Sequence, residues 1–450
     1  MFPRTILKEL NEWKASPFRK PLVLRGARQT GKTCAVNAFA ENYRQFIALN
    51  LEKKDDRNLF LRHSSVSDLL QAAFLRAGKD FSLRRETLIF IDEIQTTREA
   101  VEMLRYFHEE YPEIHVVAAG SLLETLFCKG ISFPVGRVEY RILRPVSFRE
   151  FLEAAGEKNS VEALEQVPPP DFALEHLFGL FHTYSLVGGM PEIVARYVLT
   201  GDLTGLGIVY DSFLASFYDD AEKYARNENQ THIIRHCIRS SFFEAGTRIK
   251  FHGFGASQYG SREIGDALRI LEKALLINLV YPTTQTSAPF APDIKKSPRL
   301  QSLDTGLLNF VCGLRGCLIG AEDLNAQYGG KVAEHIVGQE ILASGFEAAS
   351  SLRFWTRDKA QSSAEVDFLF PFEGMMIPVE VKSGKNGRLR SIHQFIDNSD
   401  CDFAVRLYAG PAALENQKTI AGKPFRLLNL PYFLAGFLRR QLEFYISGKR

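Results

Sequence analysis

The chain has 450 residues, which at roughly 100–200 residues per domain suggests two to four domains. Its hydrophobic content of 45% and charged content of 24% are those of a folded globular protein. Lys+Arg at 55 against Asp+Glu at 53 leaves a net charge of +2, which excludes a protein that holds nucleic acid by bulk charge alone. The charge is unevenly spread. Residues 1–150 carry 24 basic and 19 acidic side chains, residues 151–220 carry 2 and 11, and the remainder 29 and 23. The six cysteines, Cys34, Cys128, Cys237, Cys312, Cys317 and Cys401, form no CxxC pair, which excludes zinc-ribbon and redox motifs and fits thiols in a reducing cytosol. The N-terminus lacks a signal-peptide core, and no uncharged apolar run reaches the roughly 18 residues of a membrane span. A soluble, cytoplasmic protein without membrane contact is expected.

In chain order, residues 1–16 read as a short amphipathic helix with Ile6, Leu7, Leu10 and Trp13 on one face. Strand-like runs follow at Leu22–Leu24, Gln45–Leu51, Thr87–Ile91 and Ile114–Ala119, with a fifth candidate at Arg137–Leu143. Helical patterns fill the gaps, around Gly31–Asn42 and Ala100–Glu110 among others. Alternating strands and helices predict an α/β domain over 1–145, a parallel sheet flanked by helices. Residues 146–235 read as mostly helical, broken by Pro168-Pro169-Pro170 and Gly188-Gly189-Met190-Pro191. Short helices and an apolar strand make 236–296 a weak match to a winged helix, and 282–299 reads as a surface loop. The last part, 297–450, opens with a helix near Val332–Ala343. Strands at 364–370 and 376–382 follow, with a turn at Pro371–Gly374.

The strongest chemical signal is Gly26-Ala27-Arg28-Gln29-Thr30-Gly31-Lys32-Thr33, followed by Cys34. It is a complete GxxxxGKT loop (Walker A) between a strand and a helix, the context that motif requires. Glycines let successive backbone N–H groups wrap phosphate oxygens, and the helix N-terminus adds positive potential. Lys32 is expected to neutralise the β- and γ-phosphates of ATP, and the Thr33 hydroxyl to ligate Mg²⁺. A second motif, Leu88-Ile89-Phe90-Ile91-Asp92-Glu93, is an apolar strand ending in two acids (Walker B). Asp92 is expected to hold the metal through water, and Glu93 to orient and deprotonate the attacking water. Ser121 stands where a polar sensor of the γ-phosphate is expected, and a helix-capping serine is the plain alternative. Arg137 is a candidate to reach a γ-phosphate in this subunit or in an adjacent one of a homo-oligomer; the alternative is a surface arginine.

These motifs, together with Ile-Asp-Glu-Ile-Gln, Ala-Gly-Ser and Gly-Arg-Val followed by Leu-Arg-Pro-Val-Ser-Phe-Arg-Glu-Phe, resemble the AAA+-type domain of a large prokaryotic ATP-binding protein family. Tyr184-Ser185-Leu186-Val187-Gly188-Gly189-Met190-Pro191-Glu192 is similar to its helical continuation. Ser297-Pro298-Arg299 with Asp304-Thr305-Gly306-Leu307-Leu308 is similar to the start of its C-terminal DUF4143-type domain. The resemblance implies a P-loop ATPase joined to a restriction-endonuclease-like fold.

The residues of that C-terminal part point the same way. Glu380 and Lys382 are two apart on a strand and share a sheet face, while Ile377, Val379 and Val381 face the other. A hairpin would bring Asp367 beside Glu380. This is the D…ExK arrangement of metal-dependent nucleases, in which Asp367 and Glu380 hold Mg²⁺ and Lys382 steadies a water that attacks a phosphodiester. Glu334 and Glu340 are both candidates for the completing acid. The cluster is expected either to bind a divalent ion or to show a lysine salt bridge in its place. The alternative is a nuclease fold kept as a binding module, acting on DNA or a protein partner without cleavage. Lys382, Lys385, Arg388, Arg390 and His393 form a basic run suited to a phosphate backbone or to a solvated loop. Trp355 and Phe354 read as core.

Overall fold

A computed structural model describes residues 2, 4–120, 136–318, 330–347, 351–357, 364–382 and 389–448. It divides into two compact units. The first is Met1–Arg144 with two short returns, Lys273–Leu275 and Phe346–Ala349; the second is Pro145–Glu272, Leu276–Gly345 and Ser350–Arg450. Among the described residues no helix is long and apolar enough to cross a membrane.

The first unit contains α1 (Ile6–Ala15), β1 (Leu22–Arg25), α2 (Lys32–Ala40), β2 (Gln45–Asn50), α3 (Lys54–Arg62), α4 (Val66–Ala77), β3 (Thr87–Asp92), α5 (Arg98–Glu110), β4 (His115–Gly120) and β5 (Glu139–Ile142). The strands form one sheet in the order β2-β3-β4-β1-β5, and every pairing in it is parallel. The apolar runs explain this. β3 and β4 are buried along their whole length, as strands covered on both faces must be. Successive side chains alternate between the two covers. Leu22, Leu24, Leu88 and Phe90 join Ile6, Leu10, Trp13, Val36 and Phe39 in one core. Val23, Ile89 and Ile91 join Leu70, Leu104 and Phe107 in the other. Burying each such side chain contributes roughly 1.5–3 kcal/mol. The register sets Arg25 level with Gly120, and Ile91 level with Ala118. The ends of β1 and β3 therefore open on the same edge of the sheet, where ligands of such folds bind.

The second unit begins with helices α6 (Phe148–Ala154), α7 (Lys158–Leu164), α8 (Leu174–Val187), α9 (Pro191–Thr200), α10 (Gly207–Tyr224), α11 (Glu228–Phe243) and α12 (Ser261–Lys273, its last residue counted with the first unit). β6 (Ile277–Val280) pairs antiparallel with β8 (Arg299–Ser302). The stretch read as a surface loop thus opens with β7 (Pro282–Thr283) and closes at β8. After α13 (Thr305–Val311) and α14 (Lys331–Ala343), β9 (Phe354–Thr356) and β10 (Glu365–Val366) complete a three-stranded sheet, β10-β9-β7. A five-stranded mixed sheet follows, β11-β12-β13-β15-β14, from β11 (Phe368–Phe372), β12 (Met375–Val381), β13 (Phe403–Tyr408), β14 (Ala413–Lys418) and β15 (Pro424–Pro431). α15 (Arg390–Asp397) precedes β13, and α16 (Leu438–Ser447) ends the described chain.

The β11–β12 hairpin is tighter than the sequence suggests. Pro371 and Phe372 pair with Met376 and Met375, so the turn is only Glu373-Gly374. Both turn residues have positive φ, +44° and +80°, the backbone shape whose twist matches a two-residue hairpin. Pro371 is tolerated because β11 is an edge strand.

Candidate nucleotide site and C-terminal carboxylate cluster

The loop after β1 is shaped by its glycines. A Cβ on Gly26 would lie 2.5 Å from the Leu143 carbonyl oxygen and 2.8 Å from Thr30 Oγ1, so only glycine fits. Gly31 opens α2 at φ +89°, and Gln29 is also left-handed at +65°. Thr30 is fully buried and its hydroxyl donates to the Ala27 carbonyl at 2.9 Å. Lys32 is 8% exposed, and its Nζ donates to the carbonyls of Gly26 and Ala27, both at 2.9 Å. Burial pushes the Lys32 ammonium down to about 8, against the pull of the Glu93 and Asp92 carboxylates. Arg28 is half-buried, while Gln29 and Cys34 face solvent.

Across the sheet edge, Thr33 Oγ1 donates to Asp92 Oδ2 at 2.8 Å. The two oxygens expected around Mg²⁺ thus already meet. Burial raises the Asp92 carboxyl above its ordinary range, and the Thr33 hydroxyl opposes that. Glu93 adopts φ +52°, ψ 42°, and its N–H donates to Asp92 Oδ1 at 3.0 Å. Gln95 Nε2 donates to Glu93 Oε2. The structure therefore brings Lys32, Thr33, Asp92 and Glu93 to one edge of the sheet. Gln95 belongs to the Ile-Asp-Glu-Ile-Gln stretch but carries no spacing rule that marks it as a partner of Glu93.

Two further candidates remain. Ser121 lies outside the described residues, immediately after β4. Arg137 donates from Nε to Glu109 Oε1 at 2.9 Å. It precedes β5, whose Glu139 is level with Leu22 at the start of β1. At about 3.3 Å per residue, Arg137 sits roughly 20 Å from the loop, at the opposite edge of the sheet. A γ-phosphate on the same subunit's loop is out of its reach, and the side chain stands at the surface in an ion pair with Glu109.

In the second unit, Asp367 and Glu380 are 7% and 3% exposed. Asp367 Oδ2 accepts from the Val381 N–H at 2.8 Å. Lys382 Nζ lies 2.7 Å from Glu380 Oε1, while Glu380 Oε2 is buried with no hydrogen-bond partner. Burial raises all three acids, Asp367, Glu380 and Glu334. The Asp367 charge raises Glu380 and Glu334 further, while Lys382 opposes the rise at each. Burial works against the Lys382 charge, but Glu380 and Asp367 outweigh it and hold its ammonium above the ordinary range. A second cation completes the cluster. Arg299, on β8, donates from Nη1 to the Asp367 carbonyl at 2.9 Å and from Nη2 to Glu365. Its guanidinium also lies over the Phe354 ring, 4.6 Å from the centroid.

Asp367, Glu380, Lys382 and Glu334 are thus electrostatic neighbours, joined by Arg299 and Glu365, which sequence spacing does not mark. Among the described residues no three His, Cys, Asp or Glu side chains stand as a ready metal site. Within the cluster Lys382 is salt-bridged to Glu380. Lys385 and Arg388 lie outside the described residues; Arg390 opens α15. Phe354 and Trp355 are buried, with the Trp355 ring edge-on to Phe395.

Glu340 belongs to a different network. Its Oε1 accepts from the Phe148 N–H at 2.9 Å and from the Tyr184 hydroxyl at 2.8 Å, and burial pushes it up to about 7. Unfolded, the same carboxyl has its ordinary value of 4.5. Between these values the folded state holds a proton the unfolded state has lost. The contribution is full below about pH 4.5 and disappears as pH rises through about 7. Glu340→Gln keeps an acceptor but cannot ionise. Its stability should be flatter than wild type between pH 5 and 8, by a few kcal/mol at most; urea titrations across that range check it, and parallel curves would contradict it.

Sequence comparison assigns domains to both ends of the chain. Residues 18–152 match an AAA domain, and 329–428 a domain of unknown function (DUF4143). The chain is an AAA protein with a C-terminal DUF4143 domain. Between the two, residues 179–317 match a further domain of unknown function (DUF8612). No curated protein matches this AAA protein in sequence. Similar solved structures include AMPPCP-bound DnaA from Aquifex aeolicus, at 14% identity over 60% of this chain and 86% of that one, TM-score 0.27. The Thermotoga maritima RuvB Holliday junction branch migration motor matches at 17% identity over 65% and 93%, TM-score 0.26. The Aeropyrum pernix ORC1 protein in complex with DNA matches at 13% over 70% and 93%, TM-score 0.29. Sheet order and the matched AAA domain, rather than these slight overlaps, define the fold as a P-loop NTPase.

Proposed function

We propose that this AAA protein binds ATP on the loop between β1 and α2 and hydrolyses it with Mg²⁺. The observation that carries this reading is the 2.8 Å contact between Thr33 Oγ1 and Asp92 Oδ2, with Glu93 next in the chain and Lys32 beside it on the loop. Loop N–H groups and Lys32 hold the phosphates. Thr33 and Asp92 fit Mg²⁺, which when bound draws charge from the phosphate oxygens. Glu93, oriented by Gln95, takes the proton of the attacking water. Phosphate release that depends on a divalent ion is the test; no release with any divalent ion overturns the reading.

The partner of ATP turnover is the C-terminal cluster, for which two uses compete. One is metal-dependent cleavage of nucleic acid by Asp367, Glu380 and Lys382, with Glu334 as the completing acid. The other is an ATP-driven switch whose C-terminal domain binds DNA or a protein partner without cutting. The Lys382–Glu380 contact of 2.7 Å supports the second use, since the ammonium already offsets part of the carboxylate charge that would attract a metal. The orphaned Glu380 Oε2 keeps the first in contention. Plasmid incubated with Mn²⁺ or Mg²⁺, with and without ATP, separates them. A nuclease loses nicking and calorimetric Mn²⁺ binding in Asp367→Ala, whereas a switch shows neither in wild type.

A further inference from the structure

Arg4 precedes α1 and directs its guanidinium at two main-chain carbonyls. Nη1 donates to the Thr30 carbonyl at 3.1 Å and Nη2 to the Arg144 carbonyl at 2.7 Å. Thr30 lies inside the phosphate loop, two residues before Lys32. Arg144 follows Leu143, whose carbonyl walls Gly26 and whose N–H donates to the Arg25 carbonyl at 2.7 Å. One planar fork therefore ties the middle of the loop to the segment that continues β5. Its mount is rigid, because Ile6, Leu10 and Trp13 anchor α1 in the core and the Leu7 N–H donates to the Arg4 carbonyl at 3.0 Å.

The consequence lies in one peptide plane. Cis bonds among the described residues are Val167–Pro168 and Ala288–Pro289, so Thr30–Gly31 is trans. In a trans plane the C=O and the following N–H point in opposite directions. A guanidinium that holds the Thr30 oxygen therefore turns the Gly31 N–H away from itself. With φ at +89° and no Cβ, Gly31 has freedom that something must restrict. We propose that Arg4 is a positioning residue for the nucleotide site: it fixes the Gly31 N–H as a donor to an ATP phosphate without touching the nucleotide.

This proposal rests on the ATP-binding reading above and can fail separately from it. Arg4→Ala should weaken ATP and ADP by the same factor, about 10- to 100-fold, as expected for one lost donor to a charged group. The KM should rise by that factor while kcat at saturation changes little, because Asp92 and Glu93 are intact. Arg4→Lys retains the charge but not the fork, and should still bind about 10-fold more weakly. Calorimetry with ATP and ADP, steady-state kinetics and nucleotide-free melting curves read all of this. Wild-type affinity in Arg4→Lys would show that charge alone suffices, and would overturn positioning. So would a fall in kcat that accompanies a lowered nucleotide-free Tm. If the wild type binds ATP and Arg4→Ala binds it equally well, only the Arg4 proposal fails; if the wild type binds none, both fall.

Discussion

Glu93→Gln should bind ATP as the wild type does and turn it over about 10²- to 10⁴-fold more slowly. The substitution keeps the side chain's shape and one oxygen, but the amide cannot accept the proton of an attacking water. Binding is spared because the loop, Lys32 and Thr33 are separate from the base. The backbone sharpens the expectation. Glu93 is held at φ +52°, a region that disfavours side chains with a Cβ. Strain of this kind persists where the surroundings over-determine it. Here the Glu93 N–H is fixed to Asp92 Oδ1, and the Thr96 hydroxyl donates to the Glu93 carbonyl at 2.9 Å. Single-turnover and steady-state phosphate release, beside calorimetric ATP binding, measure the split. Turnover at the wild-type rate in Glu93→Gln would place the base elsewhere.

Gln95→Ala probes the same point from its neighbour, for Gln95 is the side chain that orients Glu93. It should lower kcat by less than Glu93→Gln and leave KM nearly unchanged, since it acts only through the base.

How far the sequence reveals this design depends on range. The central strands of the first unit are legible because each is a continuous apolar run bounded by turns, and burial on both faces demands such runs. α3 and α4 fall in a gap that reads as helical but without bounds: α3 is largely polar, with only Asp56 and Phe60 buried. The C-terminal sheet is half legible. The period of two sets Glu380 and Lys382 on one face, but β14 is mostly exposed along its length, so no alternation marks it. β13 carries a buried Arg406 in an otherwise apolar run, which blurs its signal. Glu334 and Glu340 are six residues apart on a helix, so they point about 120° from each other. The sequence therefore permits only one of them in the cluster but cannot say which. Arg299 meets Glu365 across 66 residues and Arg4 meets Thr30 across 26. No local pattern encodes either contact.

Lys32→Ala should abolish measurable ATP binding at concentrations that saturate the wild type. The Lys32 ammonium is a buried loop charge placed to pair with phosphates. Losing such charge-assisted bonds in a buried site weakens affinity by roughly 10²-fold or more. The nucleotide-free protein should behave oppositely. Burial holds the folded Lys32 at about 8 against an unfolded value of 10.5, so below pH 8 the fold carries an ammonium it would shed more readily than the unfolded chain. That penalty is fully present at pH 7. It is relieved as pH rises from about 8 towards 10.5, over which the unfolded chain still binds the proton. Lys32→Met, which fills the space without the charge, should therefore melt at or above the wild-type temperature without nucleotide, and show no upward shift when ATP and Mg²⁺ are added. Stability of this kind is sacrificed where a strained, charged site serves a ligand. Melting curves with and without ATP at pH 7 and pH 9.5 read both arms. The wild-type deficit due to charge burial should narrow at the higher pH. A Lys32→Met protein that melts well below wild type without nucleotide, yet gains the full ATP shift, would place both the phosphates and the role of this lysine elsewhere.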